Sequence, residues 1–136
     1  MKRNNFLEIH FKNFKDFMNE ANTAVMKRKP LIQPKNIIYF DSVVGFRNFM
    51  TVQKIEILTA IATHKPSTIY ELAKLVDRDF AGVLRDCNAL DTMGFITLKN
   101  SKDARGSKRP ILKFPYSIIV VYLPHTPYQI QFTEAA

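Results

Sequence analysis

A chain of 136 residues is long enough for one compact core and too short for two ordinary domains. Its 46% hydrophobic content, with eleven phenylalanines, excludes wholesale disorder, and a single cysteine excludes an intramolecular disulfide or a cysteine-cluster zinc site. A net charge of +8 points to an anionic partner, nucleic acid or an acidic membrane surface, with a merely solvating face as the plain alternative. Residues 1–35 carry eight Lys/Arg against three Asp/Glu, 36–98 carry six against seven, and 99–113 carry six against one. The positive charge therefore sits at the front end and in one late segment. The longest apolar run, Ile118 to Leu123, is too short to span a bilayer and no signal peptide is apparent, so the expectation is a cytoplasmic protein with no membrane partner.

In chain order, Leu7, Ile9 and Phe11 alternate with Glu8, His10 and Lys12, which predicts a half-buried strand over 6–12. Leu7, Phe11, Phe14, Met18, Ala21 and Val25 also follow heptad spacing, so one long helix reaching Met26 fits the same residues and is able to pair as a coiled coil. Asn13 and Asp16 read as a cap and its N3 partner, which places the helix start after a strand. Lys27-Arg28-Lys29-Pro30 ends that helix, and Pro34 reinforces the break. Asn36 to Phe40 is β-prone. Asp41 or Ser42 caps a helix carrying Val44, Phe46 and Phe49; Thr51 caps the next, whose apolar face is Ile55, Leu58, Ile61 and Ala62.

Residues 67–114 organise the rest. Thr68-Ile69-Tyr70-Glu71 has the spacing of a capping box, with Glu71 reaching back to the Thr68 N–H. Ile69, Leu72, Ala73, Leu75 and Val76 give that helix one apolar face. Asp77-Arg78-Asp79 interrupts the pattern, and Asp79 caps a second helix over 80–93 with Phe80, Val83, Cys87 and Leu90 as its buried stripe and Gly94 as its stop. Two helices joined by a three-residue turn are the geometry that lays a second helix in a DNA major groove. Phe95–Lys99 and Ile111–Phe114 are rich in β-formers and flank a polar, basic, turn-rich segment, so the order of elements is that of a winged helix. Any small α+β domain with a solvated basic loop is the plain alternative. Ser117 to Leu123 is almost wholly apolar and predicts a strand covered on both faces. Pro124 and Pro127 then stop regular structure, and Ile130 and Phe132 alternate in an ambiguous tail. The expected architecture is α+β, a winged helix-turn-helix over 36–123 with an N-terminal strand–helix extension at 1–35, a C-terminal strand, and a tail at 124–136, in one compact unit.

The chain resembles the predicted winged-helix transcriptional regulators of archaea and bacteria that are broadly MarR-like. Tyr39-Phe40-Asp41-Ser42, Thr51 with Lys54-Ile55-Glu56-Ile57-Leu58, the run His64 to Val76, Arg78-Asp79, Val83, Arg85-Asp86, Leu90 and Gly94-Phe95-Ile96 carry the resemblance, with Pro115-Tyr116 and Ile118 echoing the last strand. It spans about residue 6 to 123 and is most specific over 64–96. It implies a dimeric regulator, sometimes neighbouring a partner protein in a toxin–antitoxin arrangement. The sequence departs at the start of the second helix, where Phe80-Ala81-Gly82-Val83-Leu84 stands in place of long polar groups. Gly82 also weakens a helix by about 1 kcal/mol relative to alanine. That departure bears on base-specific readout more than on DNA binding.

Arg85 points away from the buried Val83 and suits guanine O6 and N7, or else pairs with Asp86 or Asp79. Arg78 in the turn, with Thr68 and Tyr70 near the first helix's start, suits phosphate. Ala81, Leu84 and Asn88 complete the surface expected to face DNA, Leu84 matching a thymine methyl or a protein partner. Lys102, Arg105, Lys108 and Arg109 suit the backbone or minor groove. The partners expected are double-stranded DNA and a second copy, met through the N-terminal segment and the last strand, which would set two recognition helices about 34 Å apart. The rival reading is a protein-interaction module in which Phe80, Leu84 and the basic wing bind another protein. An enzyme is not expected: His10, His64 and His125 lack metal-binding spacing and the four glycines form no phosphate loop. No cofactor is implied.

Overall fold

The computed structural model describes residues 6–28, 36–102 and 106–124. In chain order the elements are β1 (Phe6–Phe11), α1 (Phe14–Met26), β2 (Ile37–Phe40), α2 (Val43–Phe49), α3 (Val52–His64), α4 (Ile69–Val76), α5 (Phe80–Met93), β3 (Ile96–Asn100), β4 (Lys108–Leu112) and β5 (Ile118–Val121). The protein is of α+β class, with five helices and two small sheets among the described residues. Each helix starts where a short polar side chain captures an otherwise unpaired backbone N–H. Asn13 accepts from Asp16 N at 2.7 Å, Ser42 from Gly45 N at 2.9 Å, Thr51 from Lys54 N at 3.2 Å, Thr68 from Glu71 N at 3.0 Å and Asp79 from Gly82 N at 2.9 Å. The Asn13 cap settles the first segment as strand then helix. The Glu71 carboxylate accepts from Ser67 N at 2.9 Å, so the capping box closes one residue earlier than its spacing predicts.

One sheet is three-stranded and wholly parallel, ordered β2-β1-β5, with Ile9 opposite both Ile38 and Val121. Alternation in β1 sends Leu7 and Ile9, both fully buried, to the core face. Residues 6–11 are thus the centre of a sheet whose edges come from 37–40 and 118–121. β5 is an edge strand among the described residues, and it is not covered on both faces as its apolar run predicts: Ile118 is 56% exposed and Val121 40%. The other sheet is the antiparallel hairpin β3–β4, with Leu98 opposite Pro110 and Lys99 opposite Arg109. Here β4 begins at Lys108, three residues before its predicted start, so part of the basic segment is strand; among the described residues β4 pairs with β3 alone, and its other edge tolerates proline.

The core joins these parts through a series of phenylalanines. Phe40 meets Phe46 edge-on at 5.2 Å and Phe49 at 5.7 Å, and Phe49 stacks on Phe95 at 5.8 Å. Phe95 is fully buried; its N–H donates to Leu90 O, and its carbonyl accepts from Lys113 N at 3.2 Å and the Tyr116 hydroxyl at 3.0 Å. α3 packs against α4, α5 and β4 at once, so its buried arc turns to Ile57, Leu58, Ala60 and Ile61 while Ile55 and Ala62 face outward. Leu75 and Phe80, predicted to be buried, are 42% and 44% exposed, since α4 and α5 pack through Leu72, Ala73, Val83 and Cys87. α1 buries no residue, and Phe14, Val25 and Met26 lie open on it. Lys12 ties α1 to the end of β1 through a 2.6 Å ion pair with Glu20. The expectations for 1–5, 29–35 and 125–136, including Pro127, Ile130 and Phe132, lie outside the described residues.

Tyr116→Phe should lower stability by about 0.5–1.5 kcal/mol in urea unfolding, the usual net worth of one hydrogen bond, because the Phe95 carbonyl keeps its bond from Lys113. A loss above about 3 kcal/mol would mean that the hydroxyl anchors more than this one carbonyl.

Candidate nucleic-acid interface

The turn between α4 and α5 is built by three residues with separate tasks. Asp77 takes the left-handed conformation that ends α4, at φ +56°, which short polar side chains tolerate best after glycine. Asp79 caps α5. Arg78 folds back over α5, its Nη1 2.8 Å from Asp86 Oδ2, while Lys54 of α3 reaches the other oxygen of Asp86 at 3.9 Å. The Asp86 carboxylate therefore joins α3, the turn and α5 in one largely shielded ion cluster. Arg78, expected at a phosphate, is instead held inward by this pair.

Gly82 belongs to the same arrangement. A Cβ on Gly82 would stand 3.1 Å from Arg78 Nη2 and 3.1 Å from Asp79 Oδ1. The glycine makes room for the guanidinium to cross the first turn of α5, so its helix penalty has a structural return. Cys87, on the same helix, is fully buried, and burial, reinforced by Asp86 and opposed by Arg78, pushes its thiol up to about 12. It is a packing residue rather than a nucleophile.

The remaining candidates divide by exposure. Thr68 is buried and its hydroxyl serves the α4 cap, leaving it poorly placed for an external phosphate. Ala81, Arg85 and Asn88 are exposed along α5, whereas Leu84 is half-buried against the core. Tyr70 is 59% exposed, its ring 6.3 Å from Phe80 and 4.8 Å from Lys74 Nζ. Lys102, Lys108 and Arg109 are exposed on the hairpin, Lys108 donating to Asn100 Oδ1 at 2.9 Å. Arg105 lies outside the described residues.

Register adds a residue that the sequence reading passed over. Lys99 sits directly opposite Arg109. Like charges opposed across a ladder are destabilising unless an anion lies against them. Only the earlier start of β4 brings them together. Among the described residues, Arg85, Lys99, Lys102 and Arg109 have no carboxylate partner, while Asp79 and Asp86 are engaged by the α5 cap and by Arg78 and Lys54. Asp79 and Asp86 are thus internally satisfied, whereas Asp77 is exposed in the turn without an ion-pair partner among the described residues. No group of three or more His, Cys, Asp or Glu among the described residues is placed to hold a metal ion.

Fold and surface together define a small α+β protein with two helices joined by a tight turn and a cationic hairpin beside them. The chain belongs to the HVO_A0114 family, whose model matches residues 49–121, from the end of α2 to the end of β5. No curated protein and no solved structure matches it significantly.

In a double-mutant cycle, Arg78→Ala and Asp86→Ala should couple by about 1–2 kcal/mol, and Gly82→Ala should fail to give the roughly 1 kcal/mol gain normal for glycine replaced within a helix. Additive losses, or a stabilising Gly82→Ala, would mean that the guanidinium does not lie across α5. Cys87 should resist thiol reagents at pH 8 in the folded state and react once the protein is unfolded in urea. Stability contributed by its buried, protonated thiol is complete below pH 9 and declines as pH rises toward about 12, because the unfolded thiol ionises first; unfolding midpoints across that window should fall, and fall less in Cys87→Ala.

Proposed function

We propose that this protein is a winged-helix, broadly MarR-like DNA-binding regulator of transcription that acts as a homodimer, with α5 as the recognition helix and the β3–β4 hairpin as the wing. The observation that carries the reading is the set of exposed cations without a carboxylate partner among the described residues: Arg85 on α5, and Lys99, Lys102, Lys108 and Arg109 on the hairpin, while Asp86 is already engaged by Arg78 and Lys54. β3 packs against α5 and β4 against α3 and α4, which fixes the hairpin relative to the helix. Arg85 is the side chain of α5 with the reach and donors for a guanine edge, Asn88 a shorter contact one turn on, and the hairpin cations suit phosphates. With Thr68 buried, Tyr70 is the exposed polar candidate nearest the start of α4.

A second reading is favoured by one feature. Tyr70 and Phe80 form an exposed aromatic pair next to Ala81, a surface better suited to a protein partner than to a phosphate backbone. On that reading the hairpin cations meet an acidic protein.

Fluorescence anisotropy with the protein's own upstream duplex and a random duplex separates the two. If about five cations meet phosphates, log K should fall with log salt at a slope near −4 to −5. Arg85→Ala should weaken the upstream duplex by roughly 1–3 kcal/mol and reduce its preference over random sequence, while Lys99→Gln should weaken both duplexes alike and flatten the slope by about one. Absence of binding at low salt would remove the DNA reading and leave the protein-partner one.

A further inference from the structure

A groove runs along the side of the molecule between α3 and the β4–β5 connection. It has two adjoining hollows, of about 480 Å³ and about 360 Å³, which share Ala62, Leu112, Tyr116 and Ser117 as walls. Its walls are overwhelmingly apolar, and no carboxylate among the described residues lines either hollow. One end alone is charged: Lys65 and Arg109 border the larger hollow, while the smaller one continues to Ile55 and Phe46. The placement of Ile55 and Ala62 on the outward side of α3 is what opens this surface.

Two details of the charged end go beyond proximity. Lys65 occupies the left-handed stop of α3, at φ +47°, a position that glycine fills without strain. Its ammonium turns back to donate to the Ala62 carbonyl at 3.3 Å, which holds the charge beside a groove residue. Neither Lys65 nor Arg109 has a carboxylate partner among the described residues. The opposite wall includes Pro110, which offers no backbone donor in the middle of β4, so a peptide added there as a strand would lack a ladder bond. Two cations at one end, with the Ser117 hydroxyl where the hollows meet, also supply too few donors for a polyphosphate.

We propose that this groove binds an elongated apolar carboxylate, such as a fatty-acyl anion, with its carboxylate at the Lys65–Arg109 end and its hydrocarbon body along Leu112 and Tyr116 toward Ile55 and Phe46. Arg109 is shared with the proposed phosphate contacts, so the binding is measured without DNA.

Isothermal titration of the full chain with decanoate, below its micelle concentration, tests this against decanol and benzoate. Wild type should bind decanoate saturably at one site. Decanol, which keeps the tail and loses the charge, and benzoate, which keeps the charge and is too short for the second hollow, should each bind at least about tenfold more weakly. The pair Lys65→Gln with Arg109→Gln should lose about tenfold for decanoate and leave decanol unchanged. Ala62→Phe, at an exposed helix position that tolerates a larger side chain, should abolish decanoate binding with the thermal midpoint retained. Absence of saturable decanoate binding, or decanoate binding unaffected by both variants, would overturn the site. Benzoate binding as tight as decanoate would overturn the elongated ligand.

Discussion

The fold depends on the surroundings of one residue, Phe95. Its ring is fully buried and stacks on Phe49 of α2, while its backbone closes α5 through Leu90 and receives both Lys113 and the Tyr116 hydroxyl. α5, the hairpin, the approach to β5 and the aromatic series leading to the parallel sheet are therefore joined at a single peptide unit. A buried carbonyl and a buried tyrosine hydroxyl are each costly alone, and together they satisfy one another in a place water does not reach. The same environment, through desolvation, raises the Tyr116 hydroxyl pKa well above its ordinary value and keeps it a donor.

Charge in α5 is partitioned by the same logic of satisfaction. Asp86 lies in a mostly shielded site, where an unpaired carboxylate is untenable, so Arg78 and Lys54 turn toward it. Gly82 leaves room beside the Arg78 guanidinium, and Gly82 with Ala81 leaves the start of α5 without long side chains. What reaches outward begins one turn later, at Arg85, and continues on the hairpin.

The parallel sheet ties residues far apart in the chain. Among the described residues β1 has partners on both edges, whereas β2 and β5 each have one, and α1 lies outside the core with Phe14, Val25 and Met26 exposed. Residues 49–121, which carry the family relationship, hold α3, α4, α5, the hairpin and β5, and receive from the N-terminal segment the central strand against which β5 pairs.

Local chemistry determined much of this from sequence alone. Side-chain caps at Asn13, Ser42, Thr51, Thr68 and Asp79 act within three residues, and alternation or helical spacing is readable over one element, so element order and most boundaries were legible. Val83, Cys87 and Leu90 were legible as core for the same reason. What the sequence could not reveal depends on which neighbour is present. Whether Arg78 meets a phosphate or Asp86 turns on an ion pair eight residues along and a lysine on another helix. Whether Lys99 faces Arg109 turns on the register of a hairpin whose second strand starts inside a polar segment. Exposure of β5 and of Phe80 and Leu75 follows from where the sheet and the helix pair end, since hydrophobicity sets a side chain's preference for burial and only tertiary packing supplies a surface to bury it against.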